Sequence, residues 1–105
     1  MKKPVRLDEA AEREVHDAKN WYEEQREGLG DDLLAPLAAT LERIEASPEA
    51  APLVNGVGKA TVRSARTKKF PYRVIYMELP DRWRVIAFAH TRRDPDYWKK
   101  RLETP

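Results

Sequence analysis

The chain has 105 residues, the length of one small domain, and 36% of them are charged although the net charge is only +2. It has no cysteine and two histidines, which excludes disulfides and thiolate metal sites and leaves few ligands for zinc. No apolar run reaches membrane-spanning length, and residues 1–6 lack the apolar core of a signal peptide. The composition predicts a single cytoplasmic domain over residues 1–105, with no metal, no cofactor and no membrane contact.

The charge is distributed unevenly along the chain. Residues 1–58 hold 7 Lys/Arg and 13 Asp/Glu, a net charge of −6, whereas residues 59–105 hold 13 Lys/Arg and 5 Asp/Glu, a net charge of +8. Eight of those 13 cations are arginines, whose planar guanidinium binds phosphate through two parallel hydrogen bonds and stacks on bases. A charge run is usually a solvated face, but this arginine content favours a nucleic-acid-related target.

Two helices are predicted in the acidic half. The first follows Asp8, a suitable N-cap, carries apolar residues at positions 11, 15, 18 and 22, and ends near residue 26 before Gly28 and Gly30. The second ends at residues 47–48, and Pro36 predicts that it starts late or is kinked. Its apolar stripe is formed by Leu34, Leu37, Leu41 and Ile44.

Strands are predicted in the basic half. Residues 61–66 alternate weakly, whereas residues 72–79 and 83–90 are rich in β-branched and aromatic side chains and are joined by Pro80, Asp81 and Arg82. These runs predict an antiparallel meander, and residues 5–7 suit a short edge strand. The two central strands are apolar on both faces, so both need cover. The helices supply one cover, but residues 96–102 are too few for the other, which favours a partner on that face.

Four motifs stand in this order along the chain: Trp21-Tyr22-Glu23, Leu29-Gly30, the run from Phe70 to Tyr76, and His90-x-Arg92-Arg93-x-Pro95-x-Tyr97-Trp98-x-x-Arg101. With the order of the predicted elements, they resemble the RelE/ParE superfamily of bacterial toxins over nearly the whole chain. The resemblance implies an α+β fold, in which an N-terminal helical hairpin packs on an antiparallel sheet of three to four strands with a short basic C-terminal helix or tail. It also implies the toxin of a type II toxin-antitoxin pair, whose antitoxin is encoded by an adjacent gene and masks the basic surface.

The superfamily has two activities, and the residues leave both open. RelE-like members cut mRNA on the ribosome without a metal, by activating a ribose 2′-hydroxyl against the adjacent phosphate, whereas ParE-like members inhibit DNA gyrase. The cationic residues near one end of the meander favour ribosome-dependent mRNA cleavage. The helical hairpin suits a gyrase inhibitor equally, and a non-toxic binding module, dimeric through an exposed sheet face, is a third interpretation.

The resemblance also implies a set of site residues. Arg73 takes the position of the sheet arginine that binds the scissile phosphate, and Arg92 or Arg93 that of a second arginine after the last strand. Tyr97 or Trp98 lies near the position of the tail tyrosine that stacks on the nucleotide. The candidate catalytic residues are Arg73, His90, Arg92 and Tyr97, and the candidate RNA- and phosphate-binding residues are Arg63, Arg66, Arg93, Trp98 and Lys99.

The chain departs from the RelE pattern at the general base. Arg63 and Arg66 stand where RelE has lysines, and because arginine stays protonated, neither can be the base. At most one of them shares a face with Arg73, because they lie on opposite faces of a regular strand. His90 is the titrating candidate; alternatively, it is a strand-end histidine that bonds to the backbone and orders the tail. Arg73 is alternatively a structural residue paired with Glu78 or Asp94.

Overall fold

The computed structural model describes residues 2–103. The elements are β1 (Val5–Leu7), α1 (Glu9–Gln25), α2 (Leu29–Ala46), β2 (Val62–Arg66), β3 (Tyr72–Glu78), β4 (Trp83–His90) and a short 3-10 helix (Lys99–Glu103). The sheet order is β1-β4-β3-β2. The predicted α+β class is confirmed, with one correction. The sheet is mixed rather than antiparallel, because the edge strand β1 runs parallel to β4.

The two helices are joined by a tight connection. Gly28 has a φ of 86°, in the left-handed region that glycine adopts without steric cost. The N–H groups of Gly28 and Gly30 donate to the Glu23 carboxylate at 2.9 and 3.0 Å, so a side chain of α1 caps the free N–H groups at the start of α2. Leu29 and Gly30, expected between the helices, therefore begin α2. Neither described helix is long and apolar enough to cross a membrane.

The helix α2 corrects two expectations. It starts well before Pro36, so the proline does not delay it. Its buried positions include Leu33 and Thr40, whereas Leu34, predicted to be in the stripe, is 39% exposed. The prediction missed Thr40 because it is polar; in the fold its hydroxyl donates to the carbonyl oxygen of Pro36 at 2.9 Å and so can be buried. The buried stripe is therefore Leu33, Leu37, Thr40 and Ile44.

Both faces of the sheet are covered by the chain itself. One face packs against α1 and α2. The other face is covered by apolar side chains of residues 54–60 and by the C-terminal segment, where Trp98 is only 2% exposed. The reason for expecting a partner on this face does not hold, because the loop before β2 folds back onto it together with the tail. The buried residues of this second face are Val62, Ile75, Ile86, Ala87 and Ala89.

Candidate nucleic-acid interface

Five cations gather where β2 and β3 are joined and β4 ends; we call them the cationic end of the sheet. Arg66 on β2 pairs directly with Arg73 on β3, so both side chains leave the same face, with Cβ atoms about 5 Å apart. The segment after β4 is held beside this connection, because the Thr91 N–H donates to the carbonyl oxygen of Pro71 at 2.8 Å. The five residues are Arg66, Lys68, Lys69, Arg73 and Arg92.

The cationic end carries uncompensated charge. Within residues 2–103, none of these five side chains forms a salt bridge or a hydrogen bond. Like charges directly opposite each other on paired strands destabilise a sheet. Lys69 adds backbone strain, because its φ of 70° lies in the left-handed region that non-glycine residues rarely adopt. A bound anion would relieve the repulsion between Arg66 and Arg73.

A cavity of about 150 Å³ adjoins Arg73. Its walls include Ile75, Ala89 and Trp98. Ser64 of β2 also lines this cavity, and its Oγ is buried without a hydrogen-bond partner in the described part of the chain. An unpartnered buried hydroxyl next to an unpaired guanidinium is unusual in a folded protein.

His90 is placed at the rim of this cavity by the end of β4. Its Nδ1 accepts a hydrogen bond from the Arg92 N–H at 3.0 Å, and its ring meets Tyr72 edge to face at 5.1 Å. This is the backbone contact that the structural interpretation of His90 requires. Because Nδ1 is the acceptor, the proton of the neutral ring lies on Nε2, which is a donor. Over residues 2–103, no three acidic or histidine side chains are grouped to hold a metal ion.

The predicted tail residues are held by Glu14 of α1, which the sequence analysis missed. The Glu14 carboxylate accepts hydrogen bonds from the Phe88 N–H at 3.1 Å, the Arg93 guanidinium at 3.1 Å, the Tyr97 hydroxyl at 2.7 Å and the Arg101 guanidinium at 2.9 Å. Burial, and next the hydrogen bond to Glu14, raise the pKa of Tyr97 above its ordinary value. We call this group the Glu14 cluster. It fixes the C-terminal segment to the first helix.

Residues predicted to contact RNA in the tail are occupied within the protein. The Arg93 guanidinium lies 3.5 Å from the centroid of the Tyr97 ring, so one face of that ring is covered. Trp98 is only 2% exposed, and its contact with a base stays a prediction. Its indole packs against the second face of the sheet and covers apolar side chains there. Lys99 pairs with Asp96 at 2.8 Å.

Arg63 lies apart from the cationic end. It pairs with Tyr76 on the helix-covered face of the sheet, and its guanidinium donates to the carbonyl oxygens of Glu49 and Ala51 at 2.9 and 2.8 Å. It therefore holds the loop after α2, and its role in phosphate binding stays a prediction. The prediction that only one of Arg63 and Arg66 shares a face with Arg73 is confirmed, because Arg66 does.

Two buried polar contacts went unnoticed in the sequence. Asp8, predicted as an N-cap, makes no capping bond and instead accepts from Arg84 Nε at 2.7 Å. Glu14 lies at the edge of the apolar stripe of α1, between Ala11 and Ala18, and a carboxylate so placed needs partners. The position of Glu14 beside this stripe was the signal from which its buried contacts could have been predicted. The alternative pairing of Arg73 with a carboxylate is not present in the described structure, where Glu78 pairs with Lys3.

The fold and this surface define an α+β domain with an uncompensated cationic end. No protein-family model matches the sequence, and no curated protein matches it. Among solved structures, the chain is similar to a chain of the chromosomal ParDE toxin-antitoxin system from P. aeruginosa, with a TM-score of 0.72 over 85% of this chain and 96% of that chain. The sequence identity is 6%, so the similarity is one of fold.

Proposed function

We propose that this chain is the toxin of a toxin-antitoxin pair and that it stops growth by ribosome-dependent cleavage of mRNA. The observation that carries the proposal is the cationic end of the sheet, where Arg66 and Arg73 are paired across two strands without a counter-charge. Phosphates of a nucleic-acid strand supply that charge. The likeness in fold to a ParDE chain supports the toxin role.

The chemistry assigned to this surface is attack of a ribose 2′-oxygen on the adjacent phosphorus. The new bond from phosphorus to the 2′-oxygen forms as the bond to the 5′-oxygen breaks, leaving a 2′,3′-cyclic phosphate and a 5′-hydroxyl. Arg73 and Arg92 stabilise the charge that develops on the phosphorane. Nε2 carries the ring proton of His90 while Nδ1 accepts from the Arg92 N–H. This Nε2–H donates a hydrogen bond to the leaving 5′-oxygen, and His90 takes part in proton transfer once its contact with Arg92 opens.

The other predicted site residues take supporting roles in this proposal. Arg66, with Lys68 and Lys69, binds flanking phosphates. Tyr97 and Arg93 position the tail through Glu14 rather than contact the reacting atoms, because the hydroxyl and guanidinium are bound there. The partners are ribosome-bound mRNA in the cytoplasm and an antitoxin encoded by an adjacent gene, whose acidic groups neutralise the cationic end when the toxin is silent.

Inhibition of DNA gyrase is the second candidate. The likeness to a ParDE chain favours it, since the resemblance to the RelE/ParE superfamily implies gyrase inhibition for ParE-like members. The helical hairpin also presents large apolar side chains to solvent, with Trp21 55% and Leu34 39% exposed. Such residues suit a protein target better than an RNA phosphate backbone.

Inducing the chain in cells, with and without its neighbouring gene, separates the candidates. RNA 5′ ends are mapped genome-wide and plasmid supercoiling is measured in the same samples. Cleavage inside translated frames that is lost in Arg73→Ala and kept in Arg82→Ala, an arginine of the distant β3–β4 turn, supports the ribonuclease. Intact messages with altered supercoiling support gyrase inhibition instead. Normal growth with neither change means that the fold serves as a binding module.

A further inference from the structure

The cavity beside Arg73 has the size and lining of a site for one aromatic ring. Its volume of about 150 Å³ matches a cavity that accommodates a benzene molecule. Val54, Ile75 and Trp98 contribute apolar walls, which a bare phosphate or sulfate ion does not need. Flat, weakly polar rings are the ligands that such walls favour.

The polar residues of the lining are Ser64, Arg73, His90, Thr91, Arg93 and Asp94. Two of them, Ser64 and Arg73, give this ring a direction. Ser64 Oγ is buried and has no partner within residues 2–103, so it is free to donate to or accept from a ligand. The Arg73 guanidinium, also in the lining, has no partner in the same residues. A ligand that satisfies both has a ring with a polar edge on one side and a negative group on the other.

We propose that this cavity takes the base of a pyrimidine nucleotide, with Ser64 Oγ bonded to the polar edge of the ring and Arg73 bonded to the nucleotide phosphate. The inference rests on the proposed function in that it names the base next to the phosphate that Arg73 binds. It makes Ser64 a specificity-determining residue of the site. The cavity is partly open, and a two-ring purine extends beyond the space that one six-membered ring fills.

The hydroxyl distinguishes a ring with a polar edge from a ligand without one, whereas the size of the cavity favours one ring over two. A ligand that enters the cavity without a polar edge leaves Ser64 Oγ unpaired, which is the situation in which a buried polar group rejects a ligand most strongly. The exocyclic oxygen of a pyrimidine accepts from a hydroxyl, and its ring N–H or amino group donates to one. Both uracil and cytosine therefore satisfy Ser64.

The test measures binding to the purified full chain by nuclear magnetic resonance titration. The probes are uridine 3′-phosphate, cytidine 3′-phosphate, adenosine 3′-phosphate, ribose 5-phosphate and inorganic phosphate. We expect both pyrimidine nucleotides to bind about tenfold more tightly than ribose 5-phosphate and more tightly than the adenosine nucleotide. Resonances of Ser64, Ile75 and the Trp98 indole should shift with the pyrimidines and not with inorganic phosphate.

Two variants of Ser64 and one control sharpen the test. Ser64→Val fills part of the cavity and removes the hydroxyl, so it should lower pyrimidine affinity about tenfold and leave inorganic phosphate binding unchanged. Ser64→Ala removes only the hydroxyl and should reduce the preference for pyrimidine nucleotides over ribose 5-phosphate severalfold. This variant keeps the test decisive if the valine variant does not fold. Thr61→Ala removes an exposed hydroxyl outside this cavity and should change nothing.

The outcomes separate this inference from the proposed function. Equal affinity for all the phosphates, a preference for the purine, or no effect of either Ser64 variant would overturn the pyrimidine site even if the chain cuts mRNA. Pyrimidine binding that depends on Ser64 supports the site even if induction of the chain leaves messages intact. In that case the ribonuclease proposal fails and the nucleotide site stands.

Discussion

The arginines of the basic half divide into two groups that differ in what surrounds them. Arg84 and Arg101 have carboxylate partners, Asp8 and Glu14, and lie largely out of solvent. Arg73 and Arg92 have no carboxylate partner in residues 2–103. The same residue type thus stabilises the fold in one region and remains available for a ligand in the other. The presence of a partner, rather than arginine content, distinguishes the two roles.

The contact between Glu14 and Arg101 also completes the edge of the sheet. Strand β1 pairs with only the first three residues of β4, so the following backbone groups of β4 lie at an edge. There the Phe88 N–H donates to Glu14, and Arg101 donates to the carbonyl oxygen of Ile86 at 3.1 Å. A side-chain ion pair therefore satisfies the backbone groups that another strand would otherwise bind. The C-terminal segment is held in place as a consequence.

Replacing Arg73 should have the largest effect on activity and little effect on the fold. Arg73→Ala removes a cation that stabilises the transition state, at a cost of about 2 to 4 kcal/mol, or on the order of a hundredfold or more in cleavage rate. The rate is measured by primer extension on ribosomes programmed with a defined message, and urea unfolding is measured in parallel. Cleavage at the wild-type rate would remove Arg73 from the site.

Replacing Glu14 should have a large effect on the stability of the fold. Glu14→Gln removes the charge that binds Arg93 and Arg101, and because the carboxylate is largely buried, we expect a loss of about 2 kcal/mol in the free energy of unfolding. Urea denaturation measures the loss. Glu24→Gln, at an exposed position of the same helix, is the matched control and should change stability by less than about 0.5 kcal/mol. Equal effects of the two variants would contradict the assigned role of Glu14.

Alkaline pH should lower the free energy of unfolding, because Tyr72 and Tyr97 hold their protons more tightly in the folded chain. Burial, with a smaller contribution from Tyr22, raises the pKa of Tyr72 to about 12, and the pKa of Tyr97 is also raised. Because the unfolded chain releases these protons near pH 10 and the folded chain holds them, stability is full below pH 10 and falls as the pH rises toward 12. Tyr72→Phe should flatten that fall in thermal unfolding experiments. An unchanged slope would show that Tyr72 does not titrate in this way.

Relieving the repulsion at the cationic end should have the smallest effect on the free energy of unfolding. It should raise this free energy, whereas Glu14→Gln should lower it. Arg66→Gln removes one of two like charges on directly paired positions, so the free energy of unfolding should rise by about 0.2 to 0.5 kcal/mol. Added sulfate should stabilise the wild-type chain more than this variant. A loss of stability in Arg66→Gln would show that Arg66 is a structural residue.

The strands that bear the site could be predicted from the sequence. The expected range 83–90 coincides with β4, and 72–79 exceeds β3 by one residue, because long β-branched and aromatic runs around a short turn are a strong signal. The position of Arg73 and the separation of Arg63 from Arg66 followed from the period of two along a strand. These parts depend on local pattern alone.

The parts that could not be predicted depend on contacts between distant segments. The burial of Trp98 requires that the loop at residues 54–60 and the tail meet on one face of the sheet, which no local pattern indicates. Glu14 and Arg101 are far apart in the chain and meet only because α1 lies beside the edge of β4. The mixed sheet likewise follows from where β1 docks. Long-range geometry decided which of the predicted site residues are free.

The most direct test of the central claim is the salt dependence of binding to a short single-stranded RNA. For single strands, the slope of log affinity against log salt is about −0.7 per phosphate neutralised. Combined replacement of Arg66, Arg73 and Arg92 by glutamine should therefore reduce the magnitude of the slope by about 2, whereas the same change at Arg6, Arg13 and Arg82, outside the cationic end, should leave it unchanged. If the two triple variants reduce the slope equally, or if the folded wild-type chain does not bind the RNA, the account of the cationic end is wrong.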